Sequence, residues 1–190
     1  VLREINQKLY EILPTGFFCC AIMVEMNFEE RRVKIWSGGL PDAFIYRANE
    51  DNYERISSKN LPLGVLPNTS FKAECEAYNL DSGARVYMWS DGAYESRNSE
   101  GEMFGEDRLH NILDKHKGKE TLFDEILSAV QTHIGSSEKD DDISLLEIDI
   151  QDIDLSEYVV DESQGRQSGL NDWKMTFDLM ASSLTGFDPL

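Results

Sequence analysis

Two acidic groups next to strand-like segments could together form a site for a divalent cation. Asp91 comes shortly after an apolar run over 84–89, and the acidic group Asp140–Asp142 precedes a second apolar run over 145–150. Carboxylate oxygens are the ligands that Mg²⁺ and Mn²⁺ prefer in proteins. Strand ends hold such ligands more rigidly than loops do. The sequence therefore makes Asp91 and Asp141 the leading candidates for metal ligands.

Each of these signals also has a purely structural explanation. An Asp-Gly pair such as Asp91-Gly92 is common turn chemistry. Asp140–Asp142 could be a charged loop open to water, although three adjacent carboxylates repel one another and a cation would relieve that repulsion. The histidines fall in or beside helical patterns and lack the spacing of metal ligands; they are His110, His116 and His133. The sequence contains neither a recognisable nucleophile elbow nor a Walker-type phosphate loop.

Size, charge and cysteine usage narrow the class of protein. The chain has 190 residues, 41% of them hydrophobic, which allows one domain with a core and a tail. Its net charge of −18 disfavours nucleic acid and anionic membranes as partners. The odd set of three cysteines does not suit a disulfide framework, so a cytoplasmic location is expected. No apolar stretch approaches the ~20 residues of a membrane span. The first residue is Val1, and we expect the chain to begin inside a longer protein.

The hydrophobic pattern predicts an α+β fold, with helices on a β-sandwich or large antiparallel sheet. Helices are expected over 2–12, 106–116 and 121–134, with Thr121 as an N-cap, and strands over 17–26, 31–36, 43–47, 53–56, 71–80, 84–89 and 145–150. Residues 151–170 are expected to form an acidic polar linker, and 171–190 a short amphipathic helix. That helix could dock on this domain, pair with a second copy, or lead toward a further module.

An ordered series of motifs resembles one known family. The segments are Gly16–Ala21, Trp36–Pro41, Leu61–Gly64, Leu80–Gly92, Glu95–Asn98, Glu102–Leu109 and Asp141–Ser144. As a set, they resemble the metal-dependent protein phosphatase 2C (PPM) family, in its bacterial branch of SpoIIE-type and RsbU-type phosphatases. The resemblance covers about residues 1–150. It implies two stacked antiparallel β-sheets flanked by helices, and a centre of two Mn²⁺ or Mg²⁺ ions held by aspartates.

The resemblance assigns roles to four residues by their positions in the motifs. Asp91 and Asp141 match metal-binding aspartates, Gly92 matches the glycine beside the first ligand, and Asp142 is the adjacent acidic position. Three positions depart from the family pattern. Ser90 and Ser144 replace threonines, and Gly39-Leu40 stands where this branch often has Gly-His.

A larger departure is that the family's first metal motif, a Gly-Gly-Asp segment on an early strand, does not occur in this sequence. That motif belongs upstream of the first predicted helix. We therefore expect the chain to lack the first strands of the domain, to hold only part of the metal site, and to be poorly active alone.

The branch implies a substrate and a setting. The substrate would be a phosphoserine or phosphothreonine on a STAS-type anti-sigma-factor antagonist in bacterial two-component signalling. An upstream receiver or sensor domain would make the whole protein a response regulator, and a homodimer is left open. The alternative is a catalytically incomplete binding or regulatory module with the same fold. A third interpretation, an acidic dimerisation domain, predicts no metal-dependent change in melting temperature.

Overall fold

A computed structural model describes residues 1–27, 30–136 and 142–150, and these form two antiparallel sheets with helices. The helices are α1 (Leu2–Ile12), α2 (Gly92–Glu95), α3 (Glu106–Lys115) and α4 (Leu122–Ile134). The strands are β1 (Ala21–Asn27), β2 (Arg32–Gly38), β3 (Ala43–Arg47), β4 (Asn52–Ile56), β5 (Glu76–Asn79), β6 (Arg85–Trp89) and β7 (Leu145–Asp149). One sheet has the order β1-β2-β5, and the other has the order β4-β3-β6-β7. The predicted linker and terminal helix over 151–190 lie outside the described residues.

Most predicted elements are present, and two strands are shorter than expected. The strand predicted over 17–26 begins only at Ala21, because Cys19 pairs with Leu63 in an isolated bridge instead of joining the sheet. The strand predicted over 71–80 is limited to β5. Its first part instead lies on the face of the same sheet that α1 covers. There the indole of Trp36, in β2, donates a hydrogen bond to the Lys72 carbonyl at 2.9 Å. Thr121 occupies the N-cap position of α4 without a side-chain capping bond.

The two sheets stack on an apolar core. Val24 lies opposite Ile35 in the β1–β2 ladder, and residues opposed in this way share one face of a sheet. The inner faces supply one buried cluster, whose members are Val33, Ile35, Ala43, Ile45, Ile56, Leu80, Ala84, Val86, Met88 and Ile150. Each of these side chains removes apolar area from water, at about 25 cal/mol per Å². Burial between the sheets is therefore a large contribution to stability.

Helices cover the outer face of each sheet. Helices α3 and α4 bury Leu109 and Ile126 in a cluster with Tyr87 and Trp89 of β6. Helix α1 packs Leu2, Ile5 and Leu9 onto the cluster of Trp36, Leu63 and Phe71. The result is four layers, helix, sheet, sheet and helix, as the sequence resemblance implied. No helix in the described ranges is long and apolar enough to cross a membrane.

A buried asparagine attaches α1 to the loop that runs from β4 to β5. Asn6 is fully buried, and its Nδ2 donates to the Leu66 carbonyl and to Asn68 Oδ1, both at 2.9 Å. Its Oδ1 accepts from the Gly64 N–H at 3.0 Å. Arg3 adds hydrogen bonds to the carbonyls of Asn68 and Phe71. Since buried polar groups are costly when unpaired, Asn6 determines where this loop lies.

Replacing Asn6 by leucine is expected to destabilise the protein. The substitution keeps the side-chain volume but leaves the Gly64 N–H and the Leu66 carbonyl without their partner, so the free energy of unfolding should fall by about 2–4 kcal/mol. Urea denaturation measures the change as a lower midpoint at an unchanged slope. Asn111→Leu on the exposed side of α3 is the matched control and should change stability by no more than about 0.5 kcal/mol. Equal midpoints for the two variants would contradict the role of Asn6.

Candidate functional site

The site lies where β6 ends and β7 begins. These strands are antiparallel neighbours, and the last residue of β6, Trp89, pairs with the first residue of β7, Leu145. One further hydrogen bond extends the pairing, from the Ser90 N–H to the Ser144 carbonyl at 2.9 Å. The chain segments carrying Asp91 and Asp142 therefore leave the sheet at the same edge, although about fifty positions separate them in sequence.

The Ser90 hydroxyl joins the two segments. It accepts a hydrogen bond from the Ser144 N–H and donates one to the Asp142 carbonyl, both at 3.0 Å. A hydroxyl is the smallest side-chain group that can donate and accept together. The threonine expected here from the family pattern carries the same hydroxyl, so the Ser90 replacement keeps this connection.

Gly92 allows the two segments to approach closely. A Cβ atom placed on Gly92 would lie 2.5 Å from the Asp142 carbonyl oxygen, a separation that real Cβ atoms do not adopt. The neighbour is backbone and cannot rotate away as a side chain could. Glycine at this position is therefore required by the packing of two main chains.

Asp91 is held by the helix that it begins. It is half-buried and forms the N-cap of α2, and its Oδ1 accepts from the Gly92 N–H at 3.0 Å. Its carbonyl accepts from the N–H groups of Tyr94 and Glu95 at 3.0 and 2.9 Å. Within α2, the Ser96 hydroxyl donates to the Gly92 carbonyl at 2.6 Å. The carboxylate thus has a defined position at the end of the sheet.

Several carboxylates lie near Tyr94, three residues after Asp91 in the chain. Burial raises the pKa of Tyr94, and the neighbouring carboxylates raise it further; these are Glu95, Glu106, Asp91 and Asp42, in order of decreasing effect. Burial likewise raises the pKa of the Cys20 thiol, with smaller contributions from Asp91 and Cys19. A concentration of carboxylates at a strand end is the electrostatic setting that attracts a cation.

The metal-ligand candidates from the sequence have two different outcomes. Asp91, Gly92 and Asp142 come together, with Asp142 more exposed than Asp91. Asp141 lies outside the described residues, so its role stays a prediction. Among the described residues, no group of three or more His, Cys, Asp or Glu side chains could hold a metal ion.

His110 and His133 lie in structural surroundings, consistent with their helical positions in the sequence. Nε2 of His133 is 2.8 Å from the Glu102 carbonyl, and its ring packs edge-on against Phe104. His110 packs edge-on against Phe44. None of these contacts involves Asp91 or Asp142.

Sequence patterns did not predict helix α2 or the two hydrogen bonds of Ser90. A helix of four residues is too short to show a 3.6-residue periodicity. The detectable signal was local: an aspartate before Gly92 at the end of an apolar run is a common helix N-cap. The Ser90 contacts depend on strand register, which no local pattern contains.

Comparison with known proteins finds sequence similarity along most of the chain. The family described as Stage II sporulation protein E (SpoIIE) matches residues 1–151. Phosphoserine phosphatase RsbU of Bacillus subtilis (strain 168) is 22% identical over 116 residues, which are 61% of this chain and 34% of RsbU. The chain therefore spans about a third of the length of this relative.

Solved structures share the fold at low sequence identity. The SiaA-PP2C domain of Pseudomonas aeruginosa superposes with a TM-score of 0.64 at 16% identity, covering 78% of this chain and 58% of that domain. The phosphatase domain of the cell fate determinant SpoIIE from Bacillus subtilis, presoaked with Mn, has a TM-score of 0.55 at 19% identity, covering 80% of this chain and 66% of that one. At such identities the likeness shows the fold alone.

Gly92→Ala is expected to lower stability, opposite to the usual effect of this substitution in a helix. Alanine normally stabilises a helix by up to about 1 kcal/mol over glycine. Here the added methyl meets the Asp142 carbonyl, so the melting temperature should fall by at least about 2 °C. Ser128→Ala on the exposed face of α4 is the control, and it should leave stability equal or slightly higher. A rise in melting temperature for Gly92→Ala would mean that the two segments are farther apart than described.

Proposed function

This chain belongs to the stage II sporulation protein E (SpoIIE) family, and we propose that it is the catalytic part of a metal-dependent protein phosphatase that hydrolyses phosphoserine or phosphothreonine. The observation that carries this proposal is the joining of two acidic segments at one sheet edge. Asp91 is positioned by its own helix, and the Asp142 segment is held beside it by Ser90 and Gly92. The name of RsbU, a phosphoserine phosphatase, supports the same class of reaction.

The groups at this edge suit a divalent metal ion. Asp91 and Asp142 supply carboxylate oxygens, and Asp141 is predicted to add a third carboxylate; oxygen donors are what Mn²⁺ and Mg²⁺ prefer. The surrounding carboxylates disfavour an anionic phosphate unless positive charge is also present. Bound divalent ions supply that charge and lower the pKa of a bound water to a range in which it can act as nucleophile. The Mn presoak of the related SpoIIE crystals supports manganese as a suitable ion.

The protein's own residues hold and orient the ligands. The Gly92 N–H fixes one oxygen of the Asp91 carboxylate, which limits the rotation of that side chain. Ser90 and Gly92 fix the distance between the two acidic segments. The Ser90 hydroxyl is engaged in two hydrogen bonds, so it serves to position the backbone and not as a nucleophile. The proposed hydrolysis would therefore use a water molecule as nucleophile, with no covalent intermediate on Ser90.

The finer features of the function are proposals that rest on the family resemblance. The substrate would be a phosphorylated STAS-type anti-sigma-factor antagonist, and the setting a bacterial response regulator with a receiver or sensor domain before Val1, acting in the cytoplasm. The first metal motif would also precede Val1 and complete the site. Residues 151–170 would be a linker, with the helix over 171–190 leading toward a further module.

One observation favours a second candidate function. The family's first metal motif, a Gly-Gly-Asp segment on an early strand, does not occur in this sequence. A protein with this fold and an incomplete site could bind a phosphorylated antagonist without hydrolysing it. This binding or regulatory module is the alternative that the experiment must separate from the phosphatase.

Asp91→Asn should abolish activity while leaving the fold intact. The amide keeps the shape of the side chain but loses the charge that binds the metal, so kcat/KM for Mn²⁺-dependent dephosphorylation should fall at least about a hundredfold. The assay uses a phosphorylated STAS-type domain, the protein extended by the residues that precede Val1, and Mn²⁺ or Mg²⁺. Asp124→Asn, on an exposed turn of α4, is the control and should retain full activity.

Metal binding is measured separately from turnover. Mn²⁺ should raise the melting temperature of the parent protein, since a ligand that binds only the folded state stabilises it, and the rise should be smaller for Asp91→Asn. The phosphatase proposal fails if the parent protein hydrolyses nothing with either metal. Binding of the phosphorylated domain without hydrolysis would then favour the regulatory module.

A further inference from the structure

Ser96, which directly follows α2, is a buried polar residue to which the proposed chemistry assigns no role. It is only 4% exposed, and its hydroxyl donates a hydrogen bond of 2.6 Å to the Gly92 carbonyl. A buried hydroxyl is costly without a partner, so this bond is expected to persist whenever the segment is folded. The contact joins two residues of one short segment, and it does not depend on what covers the surface of the molecule.

The main chain of Ser96 is fixed from its other side. Its carbonyl accepts a hydrogen bond from the Phe104 N–H at 2.8 Å, and the Tyr94 carbonyl accepts one from the Gly105 N–H at 2.7 Å. The Phe104 side chain is itself buried in the apolar cluster to which α3 and α4 contribute. Ser96 is therefore attached to the helical layer of the domain, and its hydroxyl acts on Gly92 from a fixed position.

Helix α2 is too short to keep its shape without such contacts. It has four residues, and helix formation is cooperative, with an unfavourable first turn. A single turn persists only where groups outside it satisfy its main chain. The Phe104 and Gly105 N–H groups do so at its C-terminal end, and the Ser96 hydroxyl does so at the carbonyl of its first residue, Gly92.

Gly92 is the residue of α2 that most needs a restraint from outside. Glycine has a wider range of φ and ψ than any other residue, and it is required here because no Cβ fits against the Asp142 carbonyl. The residue that the junction requires is therefore the one least able to keep its own conformation. The hydrogen bond from Ser96 fixes the direction of the Gly92 carbonyl, and this restricts the ψ angle of Gly92.

The conformation of Gly92 affects both acidic segments. Its N–H donates to Asp91 Oδ1 at 3.0 Å and so orients the carboxylate of the leading candidate for a metal ligand. The place that a Cβ on Gly92 would take is filled by the carbonyl oxygen of Asp142. A rotation of the main chain at Gly92 would therefore turn the Asp91 carboxylate and disturb the contact with the Asp142 segment.

We propose that Ser96 is a positioning residue for the metal site, and that it holds Gly92 in the conformation that orients the Asp91 carboxylate. The proposal rests on the proposed metal-dependent phosphatase function and adds to it a residue that acts without binding the metal itself. Removing a hydrogen-bond partner of a metal ligand commonly weakens metal binding about 10- to 100-fold. Ser96 acts through one further residue, so we expect an effect at the lower end of this range.

The test measures Mn²⁺ binding directly, without turnover. The full-length protein is prepared as parent, as Ser96→Ala, as Ser96→Cys and as the control Thr132→Ala. The Thr132 hydroxyl makes the same type of bond, to the Ser128 carbonyl four residues earlier at 2.7 Å, on the exposed side of α4. Electron paramagnetic resonance of free Mn²⁺ gives the Kd of each protein at a temperature where circular dichroism shows that it is folded.

Ser96→Ala should raise the Kd for Mn²⁺ about tenfold, because Gly92 loses its restraint, and Thr132→Ala should stay within about twofold of the parent. Ser96→Cys keeps the size of the side chain with a weaker donor, so its Kd should lie between those of the parent and Ser96→Ala. If Ser96→Ala does not fold, the Kd of Ser96→Cys decides. A lower melting temperature of the metal-free variants with an unchanged Kd would mean that Ser96 serves stability alone, and this would overturn the positioning role.

Failure of the phosphatase proposal would give a different pattern. A parent protein that binds Mn²⁺ but hydrolyses neither a phosphorylated STAS-type domain nor p-nitrophenyl phosphate would refute the phosphatase, and the comparison of Kd values would still decide the role of Ser96. A parent protein that binds neither Mn²⁺ nor Mg²⁺ would refute both proposals. An active parent protein whose Ser96 variants share its Kd would refute the positioning role alone.

Discussion

The close approach of the Gly92 backbone to the Asp142 carbonyl is the constraint on which the site depends. The two main chains meet where no Cβ atom fits, 2.5 Å from the carbonyl oxygen. The Ser90 hydroxyl spans the same junction and is engaged on both sides of it. The junction is made of main chain and the Ser90 hydroxyl, and it fixes the positions of the chain segments that carry Asp91 and Asp142.

The layers behind this edge keep the junction in place. The β6–β7 ladder brings the two segments together. The apolar core packs the sheet that contains this ladder against the sheet that contains β1 and β2. On the outer side, α3 and α4 bury one face of β6. Repulsion between acidic residues at one edge lowers the stability of the fold, and apolar burial elsewhere offsets this loss. This separation of stability from chemistry is common, since functional sites are seldom optimised for stability.

A buried polar side chain, Asn6 of α1, fixes the position of a loop by hydrogen bonds. Asn6 is the largest polar side chain that is fully buried among the described residues, and all its bonds go to one loop. That loop carries Leu61 and Val65, and it pairs with the segment that carries Phe17 and Phe18. The position of α1 therefore determines where this loop lies. Apolar side chains could not do this alone, because they do not specify a backbone position as hydrogen bonds do.

Local patterns in the sequence were sufficient for most elements and for the identity of the leading residues. Apolar runs and alternation predicted strands at β1 and β2, helical spacing predicted α1, α3 and α4, and the ordered motifs indicated Asp91 and Gly92. The same patterns extended two strands too far. An extended apolar segment has the same sequence pattern whether it joins a sheet or packs against other elements. The segment that contains Phe71 packs against α1 and Trp36. Asp141 was predicted from its motif and lies outside the described residues, so it remains a prediction.

By itself, the sequence determined the acidic and apolar residues available, the order of the elements and the family of the protein. Only the tertiary structure decided that the segments carrying Asp91 and Asp142 leave the sheet at one edge and that Ser90 connects them. The physical reason is that strand register and main-chain contact involve residues about fifty positions apart in the chain. Hydrophobic periodicity gives information only about the helix or strand in which it occurs. A contact between two elements depends instead on how the whole core packs.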